Sequence, residues 1–343
     1  MLYSDRKGSM KTFLYSSFIL LAVSCVKTGT EDLPESRLEI QASIDQSLIS
    51  DQMNVDFNSG DAIGLFVYES EASGAGVPTP MSEFSLYGER YRNIRAIYDS
   101  EREEWRFNFE NATTEFESIS LMKYSFAGLT IVGYGPWIEN VPSVTAVPFT
   151  LGGNTENAKD LMWARQNTHD TSVNPVDAGA NYNIVPDGEV KHVKFTFQHA
   201  FAKLRIGFRC AEQGNTMTVS SITLKRASEG KTSLPVSGKF NAMTGKIENV
   251  ARANSLTYEY EQPFSSSIDH AYASLLICPQ DYVQDGDYIL EFEINGKKHA
   301  SAYAIKLADV EGGFKAGAVY TFSFTVGEDI SFDSVEVSNE WID

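Results

Sequence analysis

Cys25 is the residue whose neighbours prescribe a reaction most clearly. It follows Ser24 at the end of an apolar run, Phe13 to Val23, which itself follows Lys11. A basic start, a short apolar stretch and a small residue before a cysteine match a lipoprotein secretion signal. The stretch is about eleven residues, whereas a membrane-spanning helix needs about 20. The expected chemistry is removal of residues 1–24 and diacylation of Cys25, whose acyl chains then hold the protein at a membrane. A single-pass anchor, or an ordinary signal with a chance cysteine, is the competing reading. Met10 reads as the start of the signal, because Met1 to Ser9 is polar.

Other reactive groups are present without the spacing that chemistry needs. His169, His192, His199, His270 and His299 are scattered and form no paired metal-ligand spacing. No nucleophile elbow, zinc-protease helix signature or phosphate-cradling glycine loop occurs. His199, between Phe197-Gln198 and Ala200-Phe201, reads as a packed, hydrogen-bonded corner residue. Asp281, Asp285 and Asp287 surround Gly286 as in a calcium loop, but Val283 and Phe292 occupy positions where ligands belong. A hairpin turn fits them better. Abundant carboxylates leave a glycosidase pair open in principle, with none singled out. Asp333-Ser334-Val335 resembles an Asp-Ser/Thr-apolar acceptor for O-glycosylation, at Ser334. Tyr124, Phe126, Tyr134 and Trp137, with Trp105, could offer stacking faces to a sugar. The expectation is therefore no enzyme, no cofactor and no metal.

The elements that must carry these residues are strands. Apolar residues alternate in Leu38-Ile40-Ala42-Ile44, Val193-Phe195-Phe197, Tyr288-Leu290-Phe292-Ile294 and Tyr320-Phe322-Phe324-Val326, the period of half-buried β-structure. Turn signals separate them, including Asn58-Ser59-Gly60-Asp61, Asp285-Gly286-Asp287 and Asn295-Gly296. The best helical candidate, Glu156 to Trp163, is short. The fold expected is all-β, with two tandem antiparallel β-sandwich domains. The domains run over residues 37–187 and 188–343, behind a signal at 1–24 and a polar lipidated tether at 25–36. Pro186-Asp187-Gly188 marks the break.

The chain has 343 residues and a formal charge of −18, and loss of residues 1–24 makes it about −20. Such a surface is repelled by nucleic acid and by anionic lipid head groups. Cys210 and Cys278 each end an apolar strand-like run. They are either two buried free thiols or, if those ends lie side by side, a disulfide.

Four segments together resemble the fimbrillin family, the lipoprotein subunits of type V pili in Bacteroidetes. These are Phe57-Asn58-Ser59-Gly60-Asp61-Ala62-Ile63-Gly64-Leu65-Phe66-Val67, Lys159-Asp160-Leu161-Met162-Trp163-Ala164, Phe197-Gln198-His199-Ala200-Phe201-Ala202-Lys203-Leu204 and Gly317-Ala318-Val319-Tyr320-Thr321-Phe322. The resemblance implies two transthyretin-like sandwiches and assembly by strand donation. A protease removes the lipidated end and the first strand, and the open groove takes a strand from the next subunit. Here that first strand is Leu38 to Ile44, with Leu38, Ile40, Ala42 and Ile44 as its apolar face. The donor or clasp strand is Ile330 to Val337, with Ile330, Phe332, Val335 and Val337 filling successive pockets, followed by Trp341. The alternative is that this tail completes its own domain.

The implied partners are other fimbrial subunits, an adhesion ligand of unknown identity, and a membrane through the lipid on Cys25, at the outer membrane or cell surface. One departure stands out. No Lys or Arg occurs from Leu38 through Glu89, so a trypsin-like cut falls at Arg37 or Arg90 and not just after the strand. Stalk, tip, accessory and anchor roles all stay open. A different reading is a glycan-binding outer-membrane lipoprotein of a nutrient-uptake system, using Tyr134, Trp137 and Trp105.

Overall fold

Alternating apolar residues become strands because successive side chains of a pleated chain point to opposite faces. The computed structural model describes residues 35–44, 57–70, 91–108, 120–122, 128–154, 159–168, 190–227, 233–266, 270–281, 283–310, 312–338 and 341. The front half carries β1 (Glu35–Ile44), β2 (Ala62–Ser70), β3 (Ile94–Asp99), β4 (Glu104–Asn108), β5 (Ser120–Met122), β6 (Gly128–Gly135), β7 (Val147–Thr150), β8 (Gly153–Asn154), β9 (Met162–Thr168) and β10 (Lys191–His199). The rear half carries β11 (Ala202–Cys210), β12 (Thr216–Arg226), β13 (Leu234–Asn241), β14 (Lys246–Ala253), β15 (Ser255–Ser265), β16 (Ala271–Ile277), β17 (Tyr288–Ile294), β18 (Lys297–Ala304), β19 (Val319–Val326) and β20 (Ile330–Ser338). The helices among the described residues are two short 3-10 turns, Val144–Ala146 and Leu307–Val310.

Four sheets result. One has eight strands in the order β4-β3-β2-β6-β9-β10-β1-β5. The rear strands form a four-stranded sheet, β16-β11-β19-β20, and a five-stranded sheet, β18-β17-β12-β15-β8. A third, β14-β13-β7, lies beside them. Most pairs are antiparallel, but β1 runs parallel to β10, β11 to β19 and β15 to β8. Parallel neighbours need long connections, and each of these pairs joins segments distant in sequence. The expected boundary at 187/188 precedes β10, which hydrogen-bonds into the eight-stranded sheet. After the excursion of β7 and β8 into other sheets, β9 and β10 return to the eight-stranded one, and the chain leaves it at Ala200–Phe201.

The four- and five-stranded sheets face one another as a sandwich. Phe208 of β11 meets Phe292 of β17 edge-on at 5.0 Å, and Phe324 of β19 meets Phe292 at 5.0 Å. A second core fills one side of the front sheet, where Leu38, Ile63, Leu65, Ile94, Phe107, Ile131, Val193, Phe195 and Phe197 are buried together. The opposite faces of β2 and β6, with Phe66, Tyr68, Val132 and Tyr134, join the larger core of the rear half. β2 is therefore covered on both sides, which is why its apolar run from Ile63 to Val67 is continuous. Gly64 is part of the same fit: a Cβ there would sit 2.2 Å from Cε1 of the Tyr134 ring.

The short helix expected at Glu156 to Trp163 is not formed in its described part. Lys159 to Leu161 is irregular and Met162-Trp163 opens β9. Short apolar runs do not distinguish the two periods, and here pairing with β6 and β10 selects the strand.

Cys210 and Cys278 are buried and unpaired. β11 and β16 are antiparallel, with Ala202 opposite Ile277 and Phe208 opposite Ala271. The two thiols thus lie at opposite ends of the pair, about 30 Å apart at 3.4 Å per residue, far beyond disulfide reach. Burial pushes the Cys278 thiol up to about 12 and raises that of Cys210. Neither cysteine should react with Ellman's reagent in the native protein, and both should react in urea. Fast native labelling, or a melting temperature lowered by reductant, would contradict this arrangement.

Outside the sandwich Glu291 of β17 is buried between Lys225 of β12, at 3.1 Å, and Lys298 of β18, at 3.3 Å. Burial alone would raise its pKa, but hydrogen bonds and charge from the two lysines outweigh that and leave it lowered. A carboxylate with a lowered folded-state pKa stabilises above its unfolded value and loses that contribution as pH falls through the folded one. Glu291→Gln should therefore cost about 1 kcal/mol at pH 7, since both lysines are half exposed or more. The gap from wild type should close by pH 3 in thermal melts. A deficit that persists unchanged at pH 3 would point to packing and not charge.

Candidate functional site

The first and last strands are the elements whose edges matter most. β1 pairs with β10 along seven residues, from Leu38 opposite Lys191 to Ile44 opposite Phe197. Its other edge meets β5 only through Glu35, Ser36 and Arg37. Leu38 and Ile40 are buried, and Ala42 and Ile44 pack half-buried against the same core. β1 begins at Glu35, earlier than the expected Leu38, so Arg37 lies inside the strand, opposite Ser120. A cut after Arg37 would split off the β5-paired end and leave Leu38 to Ile44 beside β10. Cys25 lies outside the described residues.

β20 runs antiparallel to β19 and forms one edge of the four-stranded sheet. In this structure the tail completes its own sheet. Ile330, Phe332, Val335 and Val337 all pack half-buried against the main core. Those four positions change parity between Phe332 and Val335, and a register shift explains it. Ser323 faces Ser334 while Phe324 faces Phe332, leaving Asp333 as an extra residue. The bulge turns the Asp333 carboxylate outward, where Oδ2 accepts from Thr325 Oγ1 at 2.7 Å and meets Arg209 at 3.3 Å. Phe332 stacks on Tyr303 with centroids 4.1 Å apart. Ser334 is exposed.

Between these strands lies the β10–β11 corner, where segments distant in sequence converge. Asp160 Oδ2 and His199 Nδ1 are 2.8 Å apart. Ala200 N–H donates to Leu161 O at 2.7 Å, Gly317 N–H to Phe201 O at 2.8 Å, and Lys203 N–H to Ala318 O at 3.0 Å. The Trp341 ring stacks on the His199 imidazole with centroids 3.8 Å apart and an interplanar angle of 15°. The Lys203 Nζ lies 5.3 Å from the same indole. His199 and Lys203 are both buried. Sequence reasoning placed His199 at a packed corner but missed its partners. Asp160 and His199 each stood in a noticed segment, yet nothing in the spacing pairs residues 39 apart in sequence.

Of the aromatics that could stack on a sugar, Tyr134 and Trp105 are buried and Trp137 is half-buried. Tyr134 is fully buried, with its hydroxyl bonded to Asn93 Oδ1 at 2.7 Å. Trp105 is buried between Phe57, at 5.0 Å, and Tyr98, at 5.3 Å. Trp137 donates its indole N–H to Asn93 O and carries the Arg95 guanidinium 4.9 Å from its ring centre. Tyr124 and Phe126 lie outside the described residues. Packing between sheets takes Tyr134 and Trp105 into the core and leaves Trp137 half-buried at its rim.

Asp287 ties its own turn, with Oδ2 accepting from Gln284 N at 2.7 Å, and Val283 is buried. Among the described residues no cluster of three or more His, Cys, Asp or Glu could hold a metal. The open cleft lined by Ile138, Pro148, Phe149, Thr150, Lys159 and Leu161 has one ionisable side chain, Lys159. That is no acid–base pair.

Comparison with solved structures bears on the fold. The chain superposes on a candidate cell adhesion protein of Bacteroides ovatus with a TM-score of 0.56 and 17% identity, over 90% of this chain and 99% of the other. A candidate cell adhesion protein of Bacteroides uniformis gives 0.51 and 16% identity, over 88% and 97%. No curated protein matches in sequence. A sequence model described as fimbrillin-like matches residues 50–341. That span takes in the turn before β2, the Asp160–His199 corner and the strands β19 and β20. The chain belongs to the fimbrillin-like family, whose members are structural and non-enzymatic.

Proposed function

We propose that this protein is a structural subunit of a cell-surface fimbria, built from two β-sandwich domains, that assembles by strand donation and serves adhesion. Family membership supports the fimbrial role. The observation that carries the assembly step is the pairing of β1 with β10. Seven consecutive residues of β1 seal the edge of β10 and cover Val193, Phe195 and Phe197. Loss of β1 would leave unpaired backbone groups beside an apolar groove. A strand with alternating apolar residues satisfies both, and β20 has that form while its bulge at Asp333 keeps Ile330, Phe332, Val335 and Val337 on one face.

Cys25 supplies the lipid that brings the subunit to the outer membrane, and exposed Ser334 is an acceptor site for glycan. The partners are other fimbrial subunits and an adhesion ligand. The basic-free stretch from Leu38 through Glu89 constrains the role. A stalk subunit would need a protease that does not read Lys or Arg, whereas an anchor or tip subunit keeps β1.

Strand capture tests the reading directly. A specific cleavage site is placed between Ile44 and Phe57, the protein is cut, and a labelled peptide of residues 330–343 is added. Stable uptake at the expense of residues 35–44, resistant to dilution, is the expected result. A peptide that never displaces β1, even under mild urea, would refute donation into this slot. Independently, Cys25→Ala should move the protein from the membrane fraction to the periplasmic one. Unchanged membrane retention would remove lipid anchoring.

A further inference from the structure

The contact between Trp341 and the β10–β11 corner is more specific than tail packing requires. Three groups from two stretches, Asp160 from one and His199 with Lys203 from the other, prepare the ring's seat. Asp160 holds Nδ1 of His199, which fixes the imidazole plane. The indole lies nearly parallel to that plane at stacking distance. Lys203, itself 3% exposed, places its ammonium near the ring face. His199 Nε2 is shielded from solvent and meets no hydrogen-bond partner, as expected where a ring and not water covers the imidazole. An ammonium over an aromatic face favours Trp above Phe or Tyr.

Position gives the seat a use. β20 is an edge strand with β19 as its sole hydrogen-bonded neighbour in the sheet. Its apolar side chains are half-buried and none is fully so. Trp341, past the end of β20, is therefore a major fastening of the tail. On the other side, β1 runs parallel to β10 and ends with Ile44 opposite Phe197, two residues before His199. Any strand that takes the place of β1 in the same direction also ends beside the seat.

We propose that Asp160, His199 and Lys203 form an indole-reading socket at the exit of the β1 slot. Trp341 of the same chain plugs it while β20 stays in its own sheet. Trp341 of a second copy fills it when that copy's tail enters the slot. The use of the socket between copies rests on the strand-donation reading, while its grip on the chain's own tail does not.

Two measurements separate these. In the first, hydrogen exchange is followed in full-length wild type, Trp341→Ala and Trp341→Phe. Amides of β20 should exchange about tenfold faster in Trp341→Ala and less so in Trp341→Phe, with β11 and β12 unchanged. The His199 ring protons should lose their upfield, ring-stacked shift in Trp341→Ala. Equal exchange in all three proteins would overturn the socket, and faster exchange throughout the rear half would reduce Trp341 to general packing and overturn it too.

In the second, β1-cleaved protein that carries Trp341→Ala, so that its own socket is open, is offered peptide 330–343 and the Trp341→Ala form of that peptide. Preferential uptake of the Trp peptide, lost in Lys203→Gln, supports the socket acting between copies. Equal uptake overturns that selectivity and leaves donation standing. Uptake of neither peptide sinks donation, and the exchange arm then decides the socket alone.

Discussion

A strand hydrogen-bonds on both edges, so every strand must find two neighbours or be left with open backbone groups. That constraint organises this protein. The described strands close into four sheets, and the two terminal strands occupy the places where closure is least secure. β1 is gripped along its length by β10 but only at its start by β5. Among the described strands, β20 is backbone-paired with β19 alone. The main neighbour of β1 lies far away in sequence, whereas β20 folds back on β19, the strand just before it. A change of partner at either end exchanges one set of hydrogen bonds for an equal set, which is what makes assembly by substitution physically economical.

The corner between β10 and β11 ties these edges together. The chain leaves the front sheet and enters the rear one within two residues, Ala200 and Phe201. Such a switch exposes polar groups that the sheets no longer pair. The Asp160–His199 contact and the backbone bonds to Leu161, Ala318 and Gly317 absorb them. A buried polar cluster of this kind specifies one arrangement, because each alternative strands a charge or a donor in an apolar setting. Three of the four segments that resemble fimbrillin meet at this corner, so their shared pattern reflects folding geometry and not chemistry on a substrate.

Much of the fold was legible residue by residue. Val193-Phe195-Phe197 and Tyr320-Phe322-Phe324 are strands, and their alternate residues are buried as the period requires. Asn295-Gly296 turns β17 into β18, with both residues at positive φ. The misreadings have specific causes. Glu156 to Trp163 looked helical because a short segment with few apolar residues fits either period. The parity change in β20 hid a bulge at Asp333, visible only against β19. Whether Tyr134, Trp105 and Trp137 were core or a binding face stayed open, because aromatic residues at alternating spacing do not say which side is covered.

The sequence by itself determined that the chain is all-β, strongly acidic, built from alternating strands, and without a recognisable reactive constellation. These properties follow from local rules: side-chain period, turn residues and charge count. Only the tertiary structure decided that β1 lies parallel to β10, that Cys210 and Cys278 stay apart, and that Trp341 sits on His199 beside Lys203. Each of those depends on which distant strands become neighbours. That choice is made by complementarity between whole faces, and no single stretch of residues carries the information for both sides of a contact.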